Sequence, residues 1–265
     1  MKHFVSGSQR TPSHHHGSTI ASYLHYLKPG ALAHRSSNEH FNLISDSNIQ
    51  TNARFIGLRP EGRTRDYAWI QALGLKFGNH NFTVEATKTQ KWEDNVDHLK
   101  LSYDGTDLHI PEGHTADWNS TKGNAQVERT STTNSLTVTI RDIIEISVNV
   151  IPVSEEDSKI HNYQIPKNDS FAHLEVQLQF FGLSAIVEGI LGRTYRPDFE
   201  NPAKQGVAMP VVGGDDKYKT SSLLATDCAL CVLTPVNIKD EHDPVTMGPG
   251  ILDCKGGGNG ITCKK

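Results

Sequence analysis

The sequence lacks long apolar runs and any surplus of basic residues. No stretch approaches the roughly 18 apolar residues of a membrane-spanning helix, so we expect a soluble protein without a membrane span. The chain has 26 Lys and Arg against 30 Asp and Glu, which gives a formal net charge of -4. Because no positive surplus is available to attract phosphates, nucleic acid is not an expected partner.

Recognised catalytic motifs are absent as well. The sequence contains no G-x-S-x-G, H-E-x-x-H, P-loop or dinucleotide fingerprint. The glycine-rich "GGGNG" follows Cys254 rather than a hydrophobic strand that opens a helix, so it is not a nucleotide cradle. The histidines of "SHHHGS" have no acidic or cysteine partner nearby, and a solvated tail is the favoured interpretation. We therefore expect no cofactor and no bound metal.

Alternation of apolar and polar residues is what the sequence does have. It runs through "NIQTNARFIG", "YAWIQALGLKF", "NFTVEATK", "HLKLSY", "SLTVTI", "IEISVNV" and "HLEVQLQFF". This period sends alternate side chains to one face of a sheet, and turn signals such as "RPEG" and "YDGTD" separate the segments. The pattern predicts an all-β fold, either an antiparallel sandwich or a distorted barrel. Its predicted core includes Leu73, Leu75, Val138, Ile146, Val176 and Leu178.

The composition divides the chain into three segments. Residues 1–38 are rich in Ser, His and Gly, and their apolar residues follow neither the alternation of a strand nor the spacing of a helix. We therefore interpret them as a disordered or atypical N-terminal segment. Residues 39–233 form the predicted β-rich domain, and residues 234–265 form a Cys- and Gly-rich tail. Within the domain, "GLSAIVEGILGRTY" has helical spacing, but its glycines shorten it, which predicts a short helical turn near 184–192.

Four cysteines lie near the carboxyl end: Cys228 and Cys231 in a C-x-x-C, then Cys254 and Cys263. Structural zinc sites usually pair two knuckles of closely spaced ligands, and a redox motif opens a helix, whereas "CALCVLTPV" continues as an extended run. Two disulfides that link a C-terminal tail fit best, and they require an oxidising compartment. Because a small ring is strained in an extended chain, we expect bonds between the C-x-x-C and the tail rather than within each pair.

Several residues are candidates for modification or ligand binding. Three sequons agree with secretion, and they lie at Asn81, Asn119 and Asn168. Trp92 and Trp118 lie in polar contexts and could stack on sugars, although capping of the core is the favoured alternative. "RPEGRTRDYAW" carries Arg63 and Arg65, which could grip an anionic group, although a surface salt-bridge network is the favoured alternative.

The alternative hypothesis is an enzyme that acts on a carbohydrate or a small metabolite and uses carboxylate side chains as acid and base. Glu155 and Asp157 in "SEEDSKIH" are acid–base candidates, but an exposed loop is favoured there. Glu188 lies in the apolar turn "IVEGILG", where a buried carboxyl would suit acid–base work, but a surface position is favoured. A deep pocket with converging carboxylates would favour the enzyme, and a flat sheet face with exposed aromatics would favour a binding protein.

Longer stretches resemble a known family. "ARFIGLRPEGRTRDYAWIQALGLKFGNH", "EEDSKIHNYQIP", "FAHLEVQLQFFGLSAIVEGILGRTYRPDFENPAKQGVAMPVVGGDDKYKTSSLLATDCALC" and "CKGGGNGITC" are similar to the plant root cap family, also called late-embryogenesis-related. The resemblance runs from about residue 38 to the end. A weaker similarity, over residues 41–88 and the "GLSAIVEGILGRTY" turn, is to the von Willebrand factor type D domain, which implies a fold of that type.

The root cap resemblance implies a secreted, extracellular plant protein, and it carries over no catalytic residue. Residues 1–37 do not resemble the signal peptide and Cys-containing segment with which family members begin, and Arg193 stands where Gln is expected, which predicts a local surface change. We therefore expect a non-catalytic glycoprotein of the extracellular matrix. Its expected ligand is a cell-wall polysaccharide, a mucilage component or another extracellular protein.

Overall fold

The fold is built almost entirely from β-strands. A computed structural model describes residues 38–62, 67–200 and 214–233, together with the backbone of three further strands at 18–20, 253–257 and 260–264. The strands are β1 (Ser18–Ile20), β2 (Glu39–Ser45), β3 (Ile49–Leu58), β4 (Tyr67–Phe77), β5 (His80–Ala86), β6 (Leu99–Tyr103), β7 (Thr106–Leu108), β8 (Asp117–Asn119), β9 (Ala125–Arg129), β10 (Ser135–Ile140), β11 (Ile144–Ile151), β12 (His173–Phe180), β13 (Lys219–Thr220), β14 (Asp253–Gly257) and β15 (Gly260–Lys264). The helical elements are α1 (Glu155–His161) and the 3-10 helices Gly192–Tyr195 and Asp215–Tyr218.

Two antiparallel sheets carry the fold. One has seven strands in the order β13-β2-β3-β4-β5-β6-β7, and the other has six in the order β1-β12-β11-β10-β9-β8. Strands β14 and β15 form a separate hairpin. Most neighbours in each sheet follow one another in the chain, as in hairpin-linked antiparallel sheets. The predicted all-β, antiparallel fold is confirmed.

Both sheets contribute to one hydrophobic core, as the alternation predicts. Along β10 and β11 each buried residue is followed by a more exposed one, so the apolar side chains point to one face. The predicted core residues are all buried, with at most 2% of the surface of each exposed: Leu73, Leu75, Val138, Ile146, Val176 and Leu178. Burial of these side chains stabilises the packing of the two sheets against each other.

The region near 184–192 is a turn, as predicted. The Val187 amide donates to the Ser184 carbonyl at 3.3 Å, and Glu188 forms an isolated β-bridge with Ser45. A 3-10 helix follows at Gly192–Tyr195. The turn therefore joins β12 to the end of β2.

Helix α1 differs from the exposed loop expected for "SEEDSKIH". Ser154 caps it, because its hydroxyl accepts a hydrogen bond from the Asp157 amide at 3.0 Å. None of its residues is buried. The helix therefore lacks the apolar stripe by which a sequence pattern reveals a helix.

The cysteine pairing also differs from the prediction. Cys228 and Cys231 are bonded to each other, so the expected bonds from this pair to the tail are wrong. The chain here turns instead of extending: the Cys231 amide donates to the Cys228 carbonyl at 3.1 Å, and the two Cα atoms lie 5.1 Å apart. That separation is within the range that a disulfide spans. In the β14–β15 hairpin, Cys254 and Cys263 are directly paired along the backbone.

The predicted boundaries of the three segments stay predictions. Apart from the backbone of β1, β14 and β15, the segments 1–37 and 234–265 lie outside the described residues. Within the described part of the chain, no helix has the length and apolar character needed to cross a membrane.

Candidate functional site

The outer surface of the six-stranded sheet is polar from β8 to β12. In these strands the side chains that alternate with the core residues include no Lys or Arg, and the apolar residue among them, Ile151, is the last residue of β11. We call this surface the polar face. It consists of Asp117, Asn119, Gln126, Glu128, Ser135, Thr137, Thr139, Glu145, Ser147, Asn149, Glu175, Gln177 and Gln179.

The strand register arranges the polar face in rows that run across the sheet. The first row contains Asn119, Gln126, Thr139, Glu145 and Gln179, with one residue from each strand. The second row contains Asp117, Glu128, Thr137, Ser147 and Gln177. Neighbouring strands are about 4.8 Å apart, so each row is a ladder of hydrogen-bonding groups at nearly constant spacing.

Two amide–carboxylate pairs fix part of these rows. Asn119 Nδ2 donates to Asp117 Oδ2 at 2.9 Å on β8, and Gln126 Nε2 donates to Glu128 Oε1 at 2.8 Å on β9. The two pairs are neighbours, because Asn119 pairs with Gln126 in the strand register. Since each carboxylate orients its amide before any ligand arrives, less side-chain freedom would be lost on binding.

A groove of about 480 Å³ opens at one end of the polar face. Its floor includes Gln126, Thr139 and Glu145 from the first row. The other lining residues come from the loop before β9, the β10–β11 turn and the residues after β12: Gly123, Asn124, Arg141, Asp142, Phe181 and Gly182. The volume lies in the range of small-molecule binding sites.

The Asn124 side of the groove is held by hydrogen bonds. Asn124 Oδ1 accepts from the Ser120 hydroxyl at 2.6 Å and from the Tyr103 hydroxyl at 3.3 Å, and the Arg141 amide donates to the Asn124 carbonyl at 3.0 Å. Burial, and then the nearby carboxylate of Asp104, raises the pKa of the Tyr103 hydroxyl, which therefore remains a donor. The loop before β9 and the turn between β10 and β11 are thus tied together.

The groove carries charges of both signs. Arg141 makes no ion pair with any residue that the structure describes, and Asp142 and Glu145 line the same groove. Phe181 is the aromatic side chain in its wall. Such a set of groups can hydrogen-bond hydroxyl groups from several directions and contact one apolar patch of a ligand.

Glu188 lies away from this groove. Its Oε1 accepts from Arg196 Nη1 at 2.5 Å, and its Oε2 accepts from the Tyr218 hydroxyl at 2.7 Å. Burial, and then the hydrogen bond to Glu188, raises the pKa of Tyr218 to about 12. Both oxygens of the Glu188 carboxylate therefore have a partner within the protein, and the side chain is half-buried rather than at the surface.

The other two carboxylates proposed for acid–base work lie far from Glu188. Glu155 and Asp157 are in α1, and the Tyr67 hydroxyl, at the start of β4, donates to the carbonyl of the last residue of α1. Glu188 bridges Ser45 at the end of β2, which the register places at the opposite end of the seven-stranded sheet. The structure does not bring these carboxylates together.

The tryptophans pack against the core. Trp92 and Trp118 are both partly buried and contact the core cluster. The Trp92 ring lies 4.4 Å from the His98 ring, and the Trp118 ring lies 5.0 Å from the Tyr103 ring. Capping of the core, the alternative favoured by the sequence, fits this arrangement better than an open stacking platform.

The remaining sequence candidates are scattered. Asn119 lies on edge strand β8 of the polar face, Asn81 is partly buried in β5, and Asn168 is exposed in the loop before β12. Arg63 and Arg65 lie outside the described residues. Across the described ranges, no group of three or more His, Cys, Asp or Glu side chains is arranged to hold a metal ion.

A comparison with family models finds the root cap family over residues 177–233. The resemblance to the root cap family is confirmed over this range. The matched segment begins within β12, includes the turn at Glu188 and ends beyond the Cys228–Cys231 disulfide. No curated protein matches the chain. The weaker similarity to the von Willebrand factor type D domain stays a prediction.

Buried side-chain amides attach the later part of the root cap segment to β3. Asn52 Nδ2 donates to the carbonyls of Leu223 and Ala225 at 3.0 and 2.8 Å, and Gln50 Nε2 donates to the Ala225 carbonyl at 2.7 Å. Asn42 Nδ2 donates to Asn52 Oδ1 at 3.0 Å. We call Asn42, Gln50 and Asn52 the amide clamp. Each is at most 1% exposed, so these bonds lie in a dry environment where loss of a partner is costly.

Proposed function

We propose that the protein is a secreted protein of the plant extracellular matrix that binds a cell-wall polysaccharide without catalysing a reaction on it. The observation that carries this proposal is the polar face, whose first row of hydrogen-bonding side chains lines the groove. A polysaccharide presents hydroxyl groups at regular intervals along a chain. A flat ladder of amides, hydroxyls and carboxylates is chemically complementary to such a chain.

The spacing of the polar face supports this ligand. Adjacent strands are about 4.8 Å apart, which is close to the length of one pyranose unit in an extended chain. A chain lying along the first row would therefore meet Gln126, Thr139 and Glu145 in succession. Amides donate and accept, hydroxyls do both, and carboxylates accept, so each sugar hydroxyl has a possible partner.

Two further observations support an extracellular location. The Cys228–Cys231 disulfide is stable in an oxidising compartment and rare in the cytosol. The root cap match covers the same segment, and members of that family are expected to be secreted.

A binding role rather than catalysis fits the positions of the carboxylates. Glycoside hydrolysis requires two carboxyl groups on opposite sides of one bond. Glu188 is engaged by Arg196 and Tyr218, whereas Glu155 and Asp157 lie at the other end of the sheet. Within the groove, Asp142 and Glu145 line a surface that is open and largely polar.

The proposal can be tested by binding of the purified protein to immobilised plant wall polysaccharides. A Gln126→Ala/Thr139→Ala variant removes two lining residues of the groove, and we expect its affinity to fall about thirtyfold, since two lost hydrogen bonds contribute about 1 kcal/mol each. A Gln90→Ala/Thr106→Ala variant makes the same chemical changes at exposed positions elsewhere and should bind like the wild type. Absence of saturable binding, or equal binding by both variants, would refute the role of the polar face.

A further inference from the structure

The charges of the polar face narrow the class of polysaccharide that it can accept. Its outward side chains include carboxylates but no Lys or Arg, since Arg129 of β9 is buried on the other side and pairs with Asp97. Asp117, Glu128 and Glu145 make no ion pair with any residue in the described part of the chain. The nearest partners of the first two are neutral amides, which orient these carboxylates without cancelling their charge.

We infer that the polar face selects uncharged polysaccharides and rejects polyuronates, an inference that rests on the proposed function. A polyuronate carries a carboxylate on every sugar. A chain lying along the first row would pass over Glu145, with Glu128 in the neighbouring row, and like charges at such distances repel. An uncharged chain meets the same side chains only as hydrogen-bond acceptors.

The single arginine of the groove does not reverse this preference. Arg141 is flanked in the sequence by Asp142, and Glu145 lies on the floor of the same groove. The groove therefore has one positive and two negative side chains. Arg141 can donate to sugar hydroxyl or ring oxygens, but a polyuronate bound to it would extend over the acidic rows.

A basic protein segment would also complement the negative charge, but the polar face is unlike a protein interface. Protein interfaces are usually built around buried apolar or aromatic anchors. The outward side chains of β8 to β12 are polar except for Ile151 at the end of β11, and Phe181 lies at the groove wall rather than among them. The regular rows favour a repeating polar chain.

The test compares two probes of equal length, a neutral β-glucan oligosaccharide and an oligogalacturonate, by calorimetric titration. For the wild-type protein at low ionic strength, we expect the uronate to bind about tenfold more weakly than the neutral probe. This difference should shrink at about 0.5 M salt, where the screening length falls to a few Å. A basic peptide serves as the third probe.

Charge-neutralising variants identify the cause of the selectivity. In Glu128→Gln/Glu145→Gln, the ratio of neutral to uronate affinity should fall several-fold, whatever happens to absolute affinity. The control Glu112→Gln/Glu156→Gln makes the same charge change at exposed positions elsewhere and should keep the wild-type ratio.

The outcomes separate the inference from the proposed function. Uronate binding equal to or tighter than neutral binding would overturn the selectivity while polysaccharide binding stands. A ratio that falls equally in both variants would also overturn it, because the carboxylates of the polar face would not be its cause. Binding of neither sugar, or of the basic peptide alone, would overturn both.

Discussion

Gly189 lies where the turn after β12 touches the backbone of β2. Its φ of 116° is one that residues with a side chain rarely adopt, and an added Cβ would lie 2.8 Å from Asn42 Oδ1 and against the Leu43 carbonyl. Backbone hydrogen bonds from the next two residues to the carbonyls of Asn42 and Leu43 hold the turn there. A glycine at this position therefore allows Glu188 to reach the end of β2.

Gly189→Ala is expected to lower the free energy of unfolding by about 3 kcal/mol, because it combines backbone strain with a steric clash. Urea denaturation measures the loss. Gly78→Ala is the matched control: its φ is 52°, but an added Cβ there meets nothing within 4 Å, so a loss of about 1 kcal/mol is expected. Equal losses in the two variants would contradict the importance of the contact with β2.

Asp97, in the loop that joins β5 and β6, forms an ion pair with Arg129 of β9. Arg129 Nη1 donates to Asp97 Oδ1 at 3.1 Å, and the backbone amide of Asn134 donates to the same oxygen at 2.9 Å. Burial acts to raise the pKa of the Asp97 carboxyl, but the hydrogen bonds from Arg129 and Asn134 and the Arg129 charge outweigh it and hold that pKa below its ordinary value. The folded state therefore favours the ionised carboxylate.

Stability is accordingly expected to decrease with acidification. The contribution of Asp97 is complete above its unfolded pKa, about 3.9, and is lost as the pH falls through the lower folded pKa. Asp97→Asn should lose about 3 kcal/mol at neutral pH, since Arg129 is left without its partner, and should show a weaker pH dependence below about pH 4. Urea denaturation across a pH series tests this, with exposed Asp117→Asn as control. An unchanged acid dependence in Asp97→Asn would contradict the expectation.

At the scale of elements, the amide clamp determines where residues 214–233 lie. The alternation of "NIQTNARFIG" correctly identifies the core face of β3, through residues such as Ala53 and Phe55. It also sends Gln50 and Asn52 to the opposite face, where polar side chains ordinarily meet water. They are buried instead, because a segment without a periodic pattern covers them. Only the tertiary structure reveals that cover.

Helix α1 and the polar face are two further features that the sequence pattern alone did not reveal. Ser154 and Asp157 form a capping pair that indicates the start of a helix. Because α1 has no apolar stripe, however, its sequence shows no helical periodicity. The polar half of the alternation in β9 to β12 was visible in the sequence. Which of those residues become neighbours depends on strand pairing, so the rows and the groove could not be predicted.

Asn52→Ala is expected to loosen residues 214–233 from β3. The Leu223 carbonyl loses its donor and Asn42 loses an acceptor, so the free energy of unfolding should fall by about 2 kcal/mol. Hydrogen exchange and limited proteolysis should accelerate selectively within this segment. Asn95→Ala removes an exposed amide and provides the control. Unchanged protection of the segment in Asn52→Ala would argue against the clamp.

For the whole molecule, the disulfide pattern decides whether the C-x-x-C is covalently joined to the tail. The Cys228–Cys231 bond closes a ring within one turn. Because Cys254 and Cys263 are paired in the β14–β15 register, we expect a second bond within that pair. Non-reducing peptide mapping should therefore recover each pair within a single peptide. Peptides cross-linked between the two pairs, or free thiols, would contradict this pattern.

The choice between binding protein and enzyme also belongs to the whole molecule, because an active site can assemble residues from distant elements. We expect the purified protein to form no product from plant wall oligosaccharides, while binding a wall fraction saturably. Glu188→Gln weakens the contact with Arg196 and should lower stability, whereas exposed Glu155→Gln should not. Neither change should alter saturable binding at a temperature where both variants are folded. Robust turnover that either substitution abolishes would establish the enzyme instead.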